Sequence, residues 1–487
     1  MGNPATPSRA CSPCRVKRRK CDMGLPGCSQ CRRACIDCPG YQDCFSLRFR
    51  NQTELTASRP RNKPTKKKEK NAATPLELKR TRNTHAFTSL PIRPEDLGHA
   101  YFINSYAPAG SFSYLEKSES IGFDLCSLDT ALSAPALLLL SHHYRSPELD
   151  LLARAHYAKA LKRTNRDLSN PEVATKDSTM LQVMLLSFFE ALAFEGRDVP
   201  WDWTTHLAGI VQLIHLRGEC QLNSAFGRAM FLHACGNIKS SCAQRSLRLP
   251  APLTALEERL AGLMDPSDIH LRLGNVLGEF ASLRVDCNAL SSIERIQAAL
   301  MLDERLGGVL RDLDRRAPFE IFDDAKLPLT PDSSHDASIY YHLYRSERES
   351  RQWNLARVLT ILMNEFLFDQ LSSCRQHLSL DEPLRTRQNM ILEASMKKGQ
   401  SMVSDIMCSV SYALELSNCQ SASARYIIYP LACAALSPFA SPNTVSSVLS
   451  TLKVIASRYG WIQAMNSAES ILQSKDMESW MHLSILY

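Results

Sequence analysis

Six cysteines between residues 11 and 38 constrain this chain more than any other feature. They stand at Cys11, Cys14, Cys21, Cys28, Cys31 and Cys38, separated by two, six, six, two and six residues. Each half is a Cys-x-x-Cys pair with a third cysteine six residues later, so SPCRVKRRKC and SQCRRACIDC are near-repeats. The segment has almost nothing apolar to bury beyond Val16, Leu25 and Ile36, so its fold must come from elsewhere. A Cys-x-x-Cys pair brings two thiolates to one zinc ion from the start of a helical turn, at about 2.3 Å each, and a short helix returns the third. Two ions need eight coordination positions, and six cysteines supply them only if two thiolates bridge both metals. No histidine precedes His85, which removes mixed Cys/His sites. A disulfide framework suits small exported domains, but the 17 cysteines are an odd count and the first ten residues lack the apolar core of an export signal. The expectation is two zinc ions, bound inside a cell, around which the segment folds.

Between the second and third cysteines lies a basic run. A helix starting near Ser12–Pro13, with proline in its opening turn, would present Arg15, Lys17, Arg18, Arg19 and Lys20 within two turns. The segments ACSPCRVKRRKC, LPGC, SQC and CPGY resemble the fungal binuclear zinc cluster transcription factors in every ligand spacing, in this basic run and in Pro26 before the fourth cysteine. The resemblance implies that Cys11 and Cys28 bridge the metals, with Cys14 and Cys21 completing one site and Cys31 and Cys38 the other. It also implies that the first helix points into the major groove over a CGG triplet, with Lys17 and Arg18 at base-reading positions. Either side chain can donate to guanine O6 and N7. Arg15 and Lys20 suit phosphate contacts, which position the helix without reading sequence, and Arg32 and Arg33 resemble further backbone contacts. Cys35 and Cys44 depart from the family pattern, and Cys35-x-x-Cys38 is itself a pair that leaves the second site less defined than the first.

Charge divides the chain in the same place. Residues 1–85 carry 20 Lys/Arg against 6 Asp/Glu, a net of +14, while the remainder holds a net of −7. A basic head on a mildly acidic body points to a polyanionic partner for the head. From about Phe45 the sequence is polar, basic and proline-punctuated, which predicts a disordered connector over 45–95. Within it Lys63–Lys70 resembles a nuclear import signal. No apolar heptads follow the cluster, so a homodimer, if formed, needs another element.

Beyond residue 96 the periodicity is helical. Residues 148–168 place Ala153, Tyr157, Ala160, Leu161, Thr164 and Leu168 on one face. Asp177 is a candidate cap for an almost wholly apolar helix over 178–194, and Asp202 for a third that Gly218 stops. Further helices are predicted near 221–247, 252–263, 288–313, 338–372, 384–417, 422–436, 443–459 and 461–485, with a surface loop over 316–336 and no convincing strands. Nine scattered cysteines, Cys126 to Cys433, read as free thiols. The texture of this region, with the spacing Trp203, His206, Gly209, Arg217, Gly218, resembles the helical regulatory region of the same family, and His206 reads as a structural histidine. No phosphate-binding loop, His-Glu-x-x-His, Gly-x-Ser-x-Gly or Asp-Asp-x-x-Asp motif is present, so catalysis is not expected. The resulting expectation has three parts: a zinc-stabilised two-helix DNA-binding cluster over 1–44, the linker 45–95, and an all-α regulatory domain over 96–487. Such a chain would act in the nucleus as a sequence-specific transcription regulator, with double-stranded DNA and co-regulators as partners. A zinc-dependent RNA- or protein-interaction module is the alternative.

Overall fold

In the computed structural model the described residues comprise much of 11–38, then 92–117, 128–194, 201–323, 340–377 and 382–473. The predicted linker lies almost entirely outside them, as does the chain beyond 473. Local signals decide where the helices start. Ser146 accepts the Leu149 N–H and Pro147 opens the helix behind it. Ser224 accepts from Gly227, Asp268 from Leu271 and Ser441 from Thr444. Ser291 and Glu294 form a reciprocal capping box, which satisfies two backbone donors at once. Where a helix must stop in a left-handed residue, glycine serves at Gly460 (φ 76°).

After a short helix α1 (Ser29–Arg33) in the cysteine segment, the body runs α2 (Pro94–Tyr101), α3 (Asp129–Tyr144), α4 (Pro147–Leu168), α5 (Pro171–Ala174), α6 (Asp177–Ala193) and α7 (Trp201–Arg217). There follow α8 (Ala225–Arg245), α9 (Ala251–Ala261), α10 (Ile269–Asp286) and α11 (Ser292–Arg316). Strands β1 (Glu320–Asp323) and β2 (Tyr340–Leu343) precede α12 (Glu347–His377), α13 (Glu382–Cys408), α14 (Gln420–Leu436), α15 (Pro442–Tyr459) and α16 (Ile462–Leu472). Successive helices mostly pack on one another, and α14 closes back onto α12 and α16.

Two helices form the centre. Almost every residue of α6 and α14 is buried, as expected of helices that are apolar all round. Pro430, which interrupts the apolar run in the sequence, sits inside α14 without ending it, because packing on every side holds the helix together. Around these helices gathers an aromatic knot of Phe102, Tyr106, Phe112, Phe188 and Tyr426, with ring centroids 5.3–6.1 Å apart. Arg425 is fully buried there, donating to the Tyr106 hydroxyl (3.2 Å) and facing Phe188 and Trp461. The amide of Gln463 donates to the carbonyls of Leu192 (3.3 Å) and Phe194 (3.1 Å), so α16 caps the C-terminus of α6 across the length of the body.

Several expectations need correction. Asp177 does not cap α6. The cap position is Lys176, without a side-chain bond, and the Asp177 carboxylate instead takes the Arg217 guanidinium at the end of α7. Asp202 is the second residue of α7 rather than its cap. Helix α10 was not anticipated, and the stretch 338–372 opens with strand β2 rather than helix. The antiparallel pair β1–β2 aligns Glu320 with Leu343 and Asp323 with Tyr340; four-residue strands are too short to show a reliable alternation. Gly218 adopts φ 53° and turns α7 into a 3-10 segment, as its position implied. His206 lies 4.0 Å from the Glu190 carboxylate, beyond hydrogen-bonding reach, and burial pushes its pKa down to about 4.

Candidate metal centre

The near-repeat of the two halves reappears in the backbone. Pro13 and Cys14 are helical, and the Lys17 N–H donates to the Pro13 carbonyl (3.1 Å) and Arg19 to Cys14 (2.9 Å). Seventeen residues on, Ala34 donates to Gln30 (3.2 Å) and Ile36 to Cys31 (3.1 Å). The same turn is therefore built twice, each time bringing a Cys-x-x-Cys pair and the later cysteine to one side. Cys28 caps α1, its sulfur accepting the Cys31 N–H at 3.3 Å. Asp22, which the sequence reading did not single out, accepts the Ser29 N–H through both carboxylate oxygens (2.9 and 3.3 Å) and so ties the end of the first half to the start of α1. The bonds from Ser29 hold its carboxyl below the usual range.

The sulfurs converge into two groups of four, Cys11, Cys14, Cys21, Cys28 and Cys11, Cys28, Cys31, Cys38. Cys11 and Cys28 belong to both. Separations are 3.6 Å for Cys11–Cys28, 3.5 Å for Cys11–Cys31, 3.6 Å for Cys14–Cys28 and 3.8 Å for Cys21–Cys11. A tetrahedron with metal–sulfur bonds of about 2.3 Å has edges of about 3.8 Å, whereas a disulfide requires about 2.05 Å. The donor set thus fits zinc and not a disulfide core. Cys11, Cys14, Cys28 and Cys31 are buried, with Cys21 and Cys38 half-buried around them. Burial pushes the Cys14 thiol up to about 12 and those of Cys11 and Cys31 upward. Thiols so disposed stay protonated unless a cation takes the protons' place, which a divalent metal does.

Around this knot the charges face outward. Lys17, Arg19, Arg32 and Arg33 are all exposed. Arg15, Arg18 and Lys20 lie outside the described residues, as do Cys35, Cys44 and the stretch 63–70. Of the four residues expected to contact DNA from the first turn the structure therefore places only Lys17, on the turn that follows Cys14, while Arg32 and Arg33, the further expected backbone contacts, stand on the second.

Residues 9–46 match the fungal Zn(2)-Cys(6) binuclear cluster domain, and residues 114–238 match the fungal specific transcription factor domain. No match was found among curated proteins or among solved structures. The second match spans α3 to α8 and covers the Trp203–Gly218 pattern. The cysteine knot at one end of the chain and the helical region behind it thus each match a domain of fungal transcription factors, the first the binuclear zinc cluster and the second the fungal specific transcription factor domain.

Proposed function

We propose that the head is a sequence-specific reader of CGG-like triplets in double-stranded DNA, built on two zinc ions held by Cys11, Cys14, Cys21, Cys28, Cys31 and Cys38. The observation that carries this reading is the pair of four-sulfur groups sharing Cys11 and Cys28, since six thiolates satisfy two tetrahedral ions only by sharing two. Bound there, zinc takes the place of an apolar core and neutralises the thiolates. The protein's own residues do the reading. Cys14 anchors the first turn, so Lys17, one turn on and exposed, and its neighbour Arg18 are the base-contacting pair. Guanine O6 and N7 accept from either cation. Arg15 and Lys20 grip flanking phosphates, with Arg32 and Arg33 on the symmetry-related turn adding backbone contacts that fix register. The helical body, which contains no helix long and apolar enough to cross a membrane among its described residues, regulates transcription in the nucleus through co-regulators rather than by catalysis.

Fluorescence anisotropy of the zinc-loaded chain on a CGG duplex and a scrambled duplex tests the reading. Preference for CGG by about tenfold or more is expected, lost with Arg18→Ala or Lys17→Ala. Equal binding to both duplexes with a steep salt dependence would reduce the head to a general polyanion binder.

A further inference from the structure

Residues 151–166 of helix α4 hold five cations, Arg154, Lys159, Lys162, Arg163 and Arg166, and no acid, in a body whose net charge is −7. At about 100° per residue, Leu151, Ala155, Lys159, Lys162 and Arg166 fall within about 80° of arc, and all five are exposed. The buried side of the helix is a different one, made by Ala153, His156, Ala160 and Thr164. Acids of neighbouring helices meet α4 on that side. Glu95 of α2 faces His156 at 3.0 Å, and the Tyr157 hydroxyl donates to Glu190 of α6. Arg154 pairs with Asp150 (2.9 Å), and Arg163 lies 3.9 Å from Asp167. Among the described residues Lys159, Lys162 and Arg166 form no ion pair.

This arrangement costs the helix stability. Like charges three or four residues apart repel on a helix surface, and Lys159–Lys162, Lys159–Arg163 and Lys162–Arg166 are all such pairs. The helix dipole favours a cation in the last turn, which accounts for Arg166 but not for Lys159 or Lys162. At the other end of the stripe Leu151 is 68 % exposed, and Tyr144, just before α4 begins, is 60 % exposed. Along the axis Leu151 stands about 12 Å from Lys159 and about 22 Å from Arg166. A nucleic-acid backbone would use the cations and waste the leucine. An acidic helix with one large apolar side chain uses both.

We propose that this face of α4 docks an acidic amphipathic helix of a partner protein, about four turns long. Its apolar anchor sits on Leu151 and Tyr144, and its carboxylates stand opposite Lys159, Lys162 and Arg166. This docking face rests on the body's role in engaging co-regulators, and it gives that partner a chemistry.

The test measures fluorescence anisotropy of labelled helical peptides on the full zinc-loaded chain, at about 150 mM salt so that distant charges are screened. One peptide carries glutamates beside a leucine anchor, a second has glutamine for every glutamate, and a third has alanine for the anchor. The first should bind saturably and the other two more weakly. Lys159→Gln/Lys162→Gln/Arg166→Gln should weaken the first about tenfold and leave the unfolding midpoint unchanged or higher, since like charges are removed. Leu151→Ala, at an exposed position, should weaken it about threefold. Binding through the basic head would survive these substitutions, so unaltered affinity in both variants overturns the proposal, as does equal binding of the glutamate and glutamine peptides. Affinity of the triple variant for a CGG duplex should match the wild type. Weaker duplex binding with unaltered peptide binding would make α4 a phosphate-contacting face and overturn the proposal. Tethering the full chain to a reporter promoter through a fused, unrelated DNA-binding domain separates this face from the reading it rests on. Wild type should change reporter output, and the triple variant should lose most of that change. An inert wild-type chain would overturn the co-regulator role itself, whereas an active wild type matched by the triple variant overturns the docking face alone.

Discussion

The head and the body of this protein solve the same problem with opposite means. In the body, one continuous cluster of buried apolar side chains runs from Phe102 to Ile471 and holds nearly all the helices. Among the described residues of the head, the buried cluster consists of Cys11, Cys14, Cys28 and Cys31, packed by Cys21 and Cys38, and Ile36 lies 38 % exposed. Hydrophobic burial scales with apolar area, and six sulfurs offer little of it. The head must therefore draw its stability from metal–ligand bonds, and the body has no need of them. Metal binding and with it the fold of the head can then be lost while the helical body stays folded.

The sharpest way to break that contrast is to remove the metal. Chelation is expected to abolish DNA binding and unfold residues 11–38, because binding free energy at such sites is folding free energy. The helical circular dichroism signal and unfolding midpoint of the body should hardly move. Within the head, Cys28→Ala should release both ions, since Cys28 belongs to both sulfur groups, whereas Cys38→Ala touches one group alone. Metal content by mass spectrometry reads the difference. Equal loss of metal from the two variants would contradict the shared arrangement, and collapse of the body on chelation would contradict the division itself.

How much of this was legible beforehand follows the same divide. The cysteine spacing is a local signal, and the repeat SPCRVKRRKC against SQCRRACIDC predicted turns that the structure builds twice at a 17-residue offset, from Lys17–Pro13 to Ala34–Gln30. Most body helices were likewise visible in their periodicity, whereas both side-chain caps suggested for them, Asp177 and Asp202, are not caps. Contacts distant in sequence were not. Gln463 caps α6 from 269 residues away, and Asp177 is drawn from its capping role by Arg217. The strands β1 and β2 need one another to form, and neither carries a pattern long enough to announce it.

Acid distinguishes the two regions by mechanism. In the body, burial depresses the pKa of His142 and of His206 to about 4, from 6.5. A depressed folded-state value means that the unfolded chain binds the proton first. The stability each neutral ring contributes is therefore present above pH 6.5 and lost as pH falls toward 4, up to roughly 3 kcal/mol per histidine at the acid end. His206→Gln should flatten the fall of the body's unfolding midpoint between pH 7 and 5. An unchanged slope would show that His206 is hydrated rather than buried. The head should lose zinc over a similar range for another reason, because protons compete with the metal for thiolates, and a zinc-sensitive dye read beside the circular dichroism separates the two events.

The smallest expected effect probes one helix end in each region. Ser291 caps α11, accepting the Glu294 N–H at 3.3 Å while the Glu294 carboxylate accepts the Ser291 N–H at 2.7 Å. Ser291→Ala leaves backbone donors to water at an exposed end, and the usual cost of such a loss is about 1 kcal/mol. Spread over a body of this size, that lowers the unfolding midpoint by about 2 °C or less, with zinc content and DNA binding untouched. Asp22→Ala removes a comparable backbone acceptor at the start of α1, yet α1 has only five residues and no apolar face to hold it in place. There the loss should surface as a severalfold weaker hold on zinc, read by competition with a chelator, and leave the body's midpoint where it was. Were Asp22→Ala to lower the body's midpoint instead, the two regions would be energetically coupled, and the head could no longer be treated as a unit that folds on its metal alone.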